Sequence, residues 1–369
     1  MNQDFTIHDQ TYNAQKVLVI AELGTSHAAD PVKARELIEA AAEAGADCVK
    51  TQIVYADEIL HPNTGIVALP GGNIRLYDRF KQLEVKSGFF AEMKELAESK
   101  GLLFLCTPFG FRSARELYAL GPKAVKIASP ELNYEALLRE IAAYCLPVFL
   151  STGVSKLGDI EEALAVFSPK RIPVCLLHCV TSYPAPAEDY NLRLLQTLAG
   201  VFGLPLGVSD HSLDPELIPA LGTAMGAAAI EKHFCLSRED PGLDDPIALP
   251  PPDFARMVRR IRRASAEGSK ATVEEVIRER GAEPVRAVLG DGVKRLAPSE
   301  EANYERTNRS LHALRDIREG EIITGDMFAA LRTEKALRPG LPPSWALKIS
   351  GRQAKAFIPA GEGIRIEDI

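Results

Sequence analysis

Short apolar segments alternate strictly with longer segments of helical period from residue 17 to about residue 267, and this alternation constrains the fold most. Apolar, β-branched runs predict strands at residues 17–21, 48–52, 102–106, 124–128, 146–150, 174–178, 204–208 and 228–233. Apolar spacing predicts helices at residues 32–44, 89–100, 112–120, 134–143, 159–167, 192–198, 215–225 and 253–264. Eight such units over about 250 residues are typical of a closed (β/α)8 TIM barrel with a parallel sheet.

An open doubly wound sheet is the alternative architecture for this α/β pattern. It usually carries a Gly-x-Gly-x-x-Gly turn after the first strand, whereas this chain reads Gly24-Thr25-Ser26-His27 there. Beyond the eight units, residues 271–305 are charged and weakly periodic, with a helix predicted over 273–280. Residues 306–369 show short strands and glycine turns. We therefore predict a barrel domain over residues 1–270, a linker over 271–305 and a small β-rich domain over 306–369.

Composition and charge exclude several classes of protein. Forty-three Lys and Arg against 50 Asp and Glu give a net charge of −7, and no block of like charges suggests a nucleic-acid-binding arm. The longest apolar runs fall far short of the ~20 residues of a membrane span, and the N-terminus resembles no secretory signal. The six cysteines include no Cys-x-x-Cys pair, which favours reduced thiols. We expect a cytoplasmic protein that binds neither nucleic acid nor membrane.

Polar side chains stand at or just beyond the end of every predicted strand. In a (β/α)8 barrel the active site is built at the carboxyl ends of the strands, so these side chains should meet at one mouth. The candidates are Glu22, Lys50, Gln52, Thr107, Lys126, Ser129, Glu131, Ser151, Thr152, His178, Thr181, Tyr183, Ser209, Asp210, His211, Glu231 and His233. Residues two apart on a strand share a face, which pairs Ser209 with His211 and Glu231 with His233.

The two histidines at the ends of strands seven and eight suggest a metal site. His211 and His233 would stand on adjacent strands with Glu22 and Glu231 nearby, which suits a divalent cation such as Mn²⁺, Zn²⁺ or Co²⁺. Two strong protein ligands would leave coordination positions open, as a catalytic metal needs. For His8 and His312, which lie outside this pattern, we expect structural roles.

The two lysines at the same mouth suggest an anion site. Burying Lys50 beside Lys126 is costly unless an anion neutralises them. Hydroxyl donors at the neighbouring strand ends complete a site for a small dianion, a phosphate or a carboxylate. These donors are Thr107, Ser129, Ser151 and Ser209. A Schiff-base lysine, as in class I aldolases, is the rival chemistry.

Several motifs together resemble the sialic acid synthase family, which includes N-acetylneuraminate, legionaminate and pseudaminate synthases. The barrel motifs are Ala21-Glu22-Leu23-Gly24, Val49-Lys50 with Gln52, Cys106-Thr107-Pro108-Phe109, Val125-Lys126-Ile127-Ala128-Ser129 with Glu131, Leu150-Ser151-Thr152-Gly153, Leu177-His178-Cys179, Ser209-Asp210-His211 and Ile230-Glu231-Lys232-His233-Phe234. The C-terminal residues resemble the antifreeze-like (SAF) domain of these enzymes through Arg309-Ser310-Leu311 and Asp316-Ile317-Arg318-Glu319-Gly320.

The resemblance implies a reaction and a role for each residue. Such enzymes condense phosphoenolpyruvate with an open-chain 2-acetamido sugar such as N-acetylmannosamine and release phosphate. It implies metal binding by His211 and His233, with Mn²⁺ expected and Mg²⁺ or Co²⁺ as alternatives. It implies that Glu22 is the acid–base residue and that Glu231 shapes the metal site. The phosphoenolpyruvate ligands would be Lys50, Thr107, Lys126, Ser129, Ser151, Thr181, Tyr183 and Ser209. The sugar ligands would be Gln52, Asn73, Glu131 and Tyr183.

The resemblance also implies a domain-swapped homodimer, in which the SAF domain of one chain caps the partner's barrel and an arginine reaches the N-acetyl group. Arg332 fits the strand spacing and Arg338 fits the family's Arg-Pro-Gly text; we prefer Arg332. Ser26, Ala29 and Thr51 depart from the usual pattern on the sugar side, so the acceptor stays open. A 2,4-diacetamido hexose is one alternative. Two alternatives to the synthase function itself are a different phosphoenolpyruvate or pyruvate lyase and a non-catalytic sugar-binding homologue.

Overall fold

Eight parallel strands form the central sheet of the computed structural model, which describes residues 4–69, 72–86, 88–334 and 336–369. The strands are Leu18–Gly24, Cys48–Ile53, Leu103–Pro108, Val125–Ile127, Val148–Ser151, Val174–Cys179, Leu206–Asp210 and Ala229–His233. Hydrogen bonding runs from the third strand through the second, first, eighth, seventh, sixth and fifth to the fourth. The third and fourth strands lie side by side, so the sheet closes on itself. The predicted TIM barrel is confirmed, and the open doubly wound sheet is not formed.

Eight helices surround the strands as predicted, with ends shifted by a few residues. They are Pro31–Glu43, Phe89–Ser99, Phe111–Ala119, Glu135–Ala143, Leu157–Phe167, Leu194–Phe202, Leu217–Ala224 and Pro251–Glu267. The first begins where the Asp30 side chain accepts a hydrogen bond from the Val32 amide, a typical N-cap. Its residues Leu37, Ile38 and Ala41 are buried against the sheet. Within the described residues, no helix is both long enough and apolar enough to span a membrane.

The floor of the barrel is apolar, and a hairpin that the sequence did not predict closes it. Strands Phe5–Ile7 and Gln10–Tyr12 pair in antiparallel fashion before the barrel begins. The Phe5 ring packs edge-on against Phe149 inside the barrel, with 4.8 Å between ring centroids. Apolar side chains thus fill this end, and the polar strand ends lie at the opposite mouth.

Residues 271–305, predicted as a linker, are packed on the barrel over part of their length. Helices Ser269–Arg280 and Ala282–Leu289 bury Val276, Val285 and Val288 in the same core as the barrel helices. The second of these helices escaped prediction because it is short and carries a proline in its first turn.

The long connection after the second strand folds into a small subdomain beside the mouth. It contains helix Ala56–Ile59, a 3₁₀ turn Pro62–Thr64, strands Ile66–Leu69 and Gly72–Arg75, and helix Leu76–Gln82. Its apolar side chains join Phe109 in a separate cluster.

The C-terminal module, residues 308–369, has its own apolar core. Its antiparallel strands are Arg309–Ala313 and Phe328–Arg332, and a short helix spans Ala346–Ile349. Leu311, Ile349 and other aliphatic side chains form the core. This module lies over the barrel mouth of its own chain, where Arg332 reaches the central cavity.

Candidate active site

A cavity of about 350 Å³ opens at the carboxyl ends of the barrel strands. Most of the polar side chains predicted for this mouth line it: Glu22, Lys50, Gln52, Lys126, Ser129, Ser151, Thr181, Tyr183, Ser209, His211, Glu231 and His233, together with Arg332. In the described part of the chain, Asn73, Thr107 and Glu131 do not line it. Asn73 lies exposed on the hairpin of the long connection, whereas Thr107 is buried and accepts a hydrogen bond from Lys50.

Two lysines and two carboxylates form a buried charge cluster at the bottom of the cavity. Lys50 Nζ lies 2.5 Å from Glu22 Oε2 and 3.9 Å from Glu231 Oε2. Lys126 Nζ lies 3.4 Å from Glu231 Oε1. Thr107 Oγ1 accepts a hydrogen bond from Lys50 at 3.3 Å. The lysines therefore have carboxylate partners as well as hydroxyl groups, and the acids supply part of the neutralisation that burial demands.

The environment separates the two carboxylates in acidity. Burial raises the pKa of Glu22, with Lys50 opposing and the nearby charge of Glu231 adding to the rise. Burial acts on Glu231 in the same direction, but Lys126 and Lys50 outweigh it and lower the pKa of Glu231. Pairs of acids whose pKa values are pushed apart have distinct roles. Glu22 is thus suited to carry a proton and Glu231 to remain ionised.

The two predicted metal ligands face each other at one side of the cavity. The rings of His211 and His233 have centroids 5.4 Å apart. His211 Nδ1 lies 2.8 Å from the Val180 carbonyl oxygen, so Nε2 is the ring nitrogen available to ligate a metal. The Tyr183 ring stacks on His211 at 4.2 Å. Neighbouring strands therefore bring the imidazoles together, as the spacing predicted.

The residues present fit a divalent metal with open positions. Burial, reinforced by His211, holds the pKa of His233 well below its usual range, so this imidazole is neutral and able to ligate. Burial lowers the pKa of His211 too, but Cys179 and the Val180 carbonyl raise it to about 9, so a proton competes with a metal there. No cluster of three metal-ligating side chains is preformed among the residues described. The protein would hold the ion by two imidazoles and leave the other positions to water or substrate.

Asp244 is a cavity residue that the sequence analysis missed. It follows the eighth strand, and its Oδ2 lies 3.8 Å from His233 Nδ1. Burial and the charge of Glu22 raise the pKa of Asp244 to about 6. Its signal in the sequence is the pair Asp244-Asp245, which lies some ten residues beyond the last strand and so outside the strand-end pattern.

Hydroxyl groups at or just beyond the ends of strands four to six line the cavity together with Lys126. Ser151 Oγ is buried and has no hydrogen-bond partner within the described residues. The Gly153 amide donates to Ser129 Oγ at 3.0 Å, and a Cβ at Gly153 would lie 2.1 Å from Thr181 Oγ1. A buried hydroxyl is costly to leave unpaired, so Ser151 is suited to donate a hydrogen bond to a molecule in the cavity.

Glu131 lies between the barrel and the C-terminal module. It is completely buried, and its Oε1 accepts hydrogen bonds from Arg309 Nε at 3.0 Å and Arg332 Nη2 at 2.8 Å. Arg309 also donates to the Phe109 carbonyl oxygen at 2.8 Å. Arg338 instead pairs with Asp368 inside the module. Of the two arginine candidates, Arg332 is therefore the one at the cavity.

Comparisons with known proteins match the chain over most of its length. The NeuB family model matches residues 37–272, and the SAF domain model matches residues 308–369. Spore coat polysaccharide biosynthesis protein SpsE of Bacillus subtilis is 32% identical over 96% of this chain and 93% of that protein. Its crystal structure superposes with a TM-score of 0.83 and covers 100% of this chain and 99% of that chain.

Two further relatives bear the names of synthases. N,N'-diacetyllegionaminic acid synthase of Legionella pneumophila is 32% identical over 95% of this chain and 94% of that protein. Pseudaminic acid synthase of Campylobacter jejuni is 30% identical over 96% and 97%. The family drawn from the motifs is thereby confirmed. The chain belongs to the NeuB family of sialic-acid-synthase-type proteins and carries a SAF domain at its C-terminus.

Proposed function

We propose that this protein condenses phosphoenolpyruvate with an open-chain 2-acetamido sugar, such as N-acetylmannosamine, and releases phosphate with the help of a divalent metal, Mn²⁺ foremost. One observation carries the proposal. Two buried lysines, Lys50 and Lys126, line the same cavity as the buried Ser151 hydroxyl, which lacks a hydrogen-bond partner among the described residues. A dianionic phosphate ester would complete that hydroxyl and balance the lysines.

The phosphate side of the cavity, defined by Lys50, Lys126, Ser129, Ser151 and Ser209, would bind phosphoenolpyruvate. Ser209 Oγ donates to Glu231 Oε1 at 2.9 Å, which keeps that carboxylate oriented toward Lys126. Thr181 and Tyr183 line the same cavity, and the Tyr183 side chain is partly exposed. The charge cluster is positioned in advance by the strands, so little reorganisation is needed when the substrate binds.

The chain's own residues can carry the proton transfers. C3 of phosphoenolpyruvate forms a bond to the aldehyde carbon, and Glu22 gives its proton to the aldehyde oxygen. Water then adds to C2 and loses one proton to the Glu22 carboxylate. The C2–O bond to phosphate breaks as the remaining C2 hydroxyl gives its proton to the leaving phosphate, which yields the ketone and hydrogen phosphate. Lys50 and Lys126 match the charge of the leaving phosphate. A metal held by His211 and His233 would supply Lewis-acid polarisation of the aldehyde.

The acceptor side of the cavity, defined by Gln52, Asn303, Thr307 and Arg332, has an apolar wall beside it. Gln52 Nε2 donates to Glu22 Oε1 at 2.7 Å, and the Arg332 guanidinium packs on the Phe109 ring at 5.2 Å. The wall consists of Val54, Ile59, Leu76, Phe80 and Phe109. This wall favours, as a second candidate acceptor, a 2,4-diacetamido hexose with a further acyl methyl group to bury. The two named synthases among the relatives support that candidate.

The test is phosphate release from phosphoenolpyruvate with a panel of 2-acetamido and 2,4-diacetamido sugars, with Mn²⁺ and with chelator. We expect metal-dependent release with one sugar class and a product mass equal to sugar plus pyruvate. If no sugar in the panel supports phosphate release although phosphoenolpyruvate binds, the synthase proposal is contradicted and a non-catalytic homologue is favoured. A pyruvate lyase acting through a Schiff base would instead be trapped on Lys126 by borohydride, because burial lowers the pKa of that amine.

A further inference from the structure

A buried ion pair that the proposed chemistry does not use lies behind the two imidazoles. Asp210 ends the seventh barrel strand just before His211, and Lys232 precedes His233 on the eighth. Both side chains of the pair are fully buried, and Lys232 Nζ lies 2.6 Å from Asp210 Oδ2. The residues on either side of each of them line the cavity. Because side chains alternate along a strand, the pair therefore faces the outside of the barrel.

The ion pair joins strands seven and eight at one level of their ladder. Asp210 and Lys232 are register partners in the parallel pairing of these strands. The partners one step earlier are Ser209 and Glu231, whose side chains are hydrogen bonded on the cavity side at 2.9 Å. The two strands are thus linked by side chains on both faces directly before the two imidazoles.

Lys232 also binds the backbone on the far side of His211. Its Nζ donates to the Ser212 carbonyl oxygen, to Ser212 Oγ at 3.1 Å and to the Asp214 carbonyl oxygen at 3.3 Å. Asp210 Oδ1 in turn accepts a hydrogen bond from the Ser212 amide at 2.8 Å. His211 therefore stands between two residues that a single ammonium group holds.

A buried tyrosine connects the ion pair to His211 itself. The Tyr190 hydroxyl accepts a hydrogen bond from the His211 amide at 2.7 Å, and it is also hydrogen bonded to the Asp210 carboxylate. A phenolic hydroxyl both donates and accepts, so Tyr190 can serve the two partners at once. We call Tyr190, Asp210, Ser212 and Lys232 the Lys232 network. A buried polar network whose members are paired makes the local structure rigid.

We propose that Lys232 is a positioning residue: through Asp210 and Ser212 it fixes the backbone of His211 relative to His233, so that the two imidazoles are held ready for one shared metal ion. The role toward a metal rests on the proposed function, whereas the fixing of the backbone does not. Groups that support metal ligands from behind typically contribute about 10–100-fold to metal affinity. The Lys232 network is such a support, built on the side of the strands that substrate does not reach.

Amide hydrogen exchange of the metal-free protein tests the positioning without any turnover. Lys232→Met removes the ammonium group and keeps an unbranched side chain. We expect exchange of residues 207–214 to rise at least about tenfold relative to the other barrel strands. Arg260→Met is the matched control, because Arg260 is a buried cation that pairs with Glu275 and Glu279 between two outer helices. Unchanged exchange in the Lys232 variant, or an equal rise in the control, would overturn the proposal.

A double variant covers the case in which Lys232→Met does not fold. Loss of the lysine alone leaves the Asp210 carboxylate buried and unpaired, whereas Asp210→Asn with Lys232→Met removes both charges and is better tolerated. The double variant still lacks the ammonium contacts with Ser212 and Asp214, so we expect the same rise in exchange. A folded double variant with wild-type exchange would overturn the proposal.

Titration with Mn²⁺, followed by the EPR signal of the unbound ion, relates the positioning to the metal. We expect the Kd for Mn²⁺ to rise about 10–100-fold in the Lys232 variants and to stay at the wild-type value in Arg260→Met, even where the melting temperatures fall equally. Wild-type affinity in the Lys232 variants would overturn the role toward the metal. A wild-type protein that binds no Mn²⁺ would contradict the metal in the proposed function, and hydrogen exchange would still decide the positioning.

Discussion

The phosphate side of the cavity is carried by barrel strands, whereas the acceptor side depends on loops and on the SAF module. Lys50, Lys126, Ser151 and Ser209 all stand on hydrogen-bonded strands. Arg332, Asn303 and Thr307 instead come from residues beyond the barrel. Catalytic groups on strands are held more rigidly than groups on loops. We infer that the common substrate is bound by the fixed side and that acceptor choice lies with the variable side.

Lys126→Met should have the largest effect. It removes one cation from the phosphate side and leaves Glu231 with Lys50 alone, so we expect kcat/KM for phosphoenolpyruvate to fall about 10³-fold. Lys123→Met, an exposed site just before the same strand, is the matched control and should be neutral. Steady-state kinetics check both variants. If the Lys126 variant instead showed only a raised KM for the sugar, the assignment of the two sides of the cavity would be reversed.

Gly153→Ala should come next. The added methyl would lie 2.1 Å from Thr181 Oγ1 and 2.9 Å from Ser129 Oγ, so the phosphate side must shift. A displacement of about 1 Å can cost about 10²-fold in rate, and we expect that loss in kcat/KM for phosphoenolpyruvate. Gly158→Ala is the control, since nothing lies within 4 Å of a Cβ there. Equal kinetics for the two alanine variants would rule out a packed phosphate side.

Arg332→Ala should affect the acceptor side alone. The loss of a charged hydrogen-bond donor is expected to raise KM for the sugar about 30-fold and to leave KM for phosphoenolpyruvate unchanged. Arg338→Ala, which removes the arginine paired with Asp368 inside the module, should leave KM for the sugar near the wild-type value. A larger rise in KM for the sugar in the Arg338 variant would assign the contact with the acceptor to Arg338.

Asp244→Asn should have the smallest effect, on stability. The pKa of Asp244 is raised to about 6 in the folded protein. Between pH 4 and 6 the folded protein therefore keeps a proton on this carboxyl that the unfolded chain has lost. The carboxylate therefore destabilises the fold above pH 6 and has no such effect below pH 4. In chelator, urea unfolding should show the variant more stable by about 1–2 kcal/mol at pH 7.5 and unchanged at pH 4. Equal stability of the variant and the wild type at both pH 7.5 and pH 4 would contradict the raised pKa of Asp244.

The strand ends were predictable because parallel strands of a barrel deliver their carboxyl ends to one mouth. That rule brought Lys50, Lys126, His211 and His233 together from spacing alone. The barrel, its eight helices and the SAF domain followed from periodicity and motifs. Residues on the strands were thus located by a geometric rule that needs no knowledge of loop structure.

The residues outside the strands could not be placed in this way. Glu131 was expected at the sugar, but the structure places it under Arg309 and Arg332, a contact set by the docking of two domains. Asp244 lies in a loop whose path no periodicity reports. The N-terminal hairpin is too short to give a strand pattern. Domain docking and loop paths depend on long-range contacts, which sequence spacing does not encode.

The most direct test of this two-sided account is phosphoenolpyruvate binding by isothermal titration calorimetry to the wild type, Lys126→Met and Arg332→Ala, each loaded with Mn²⁺ and without sugar. The account predicts that the wild type and the Arg332 variant bind with the same Kd, while binding to the Lys126 variant is lost or weakened at least about 100-fold. Equal weakening in both variants would contradict the claim that the barrel alone binds phosphoenolpyruvate.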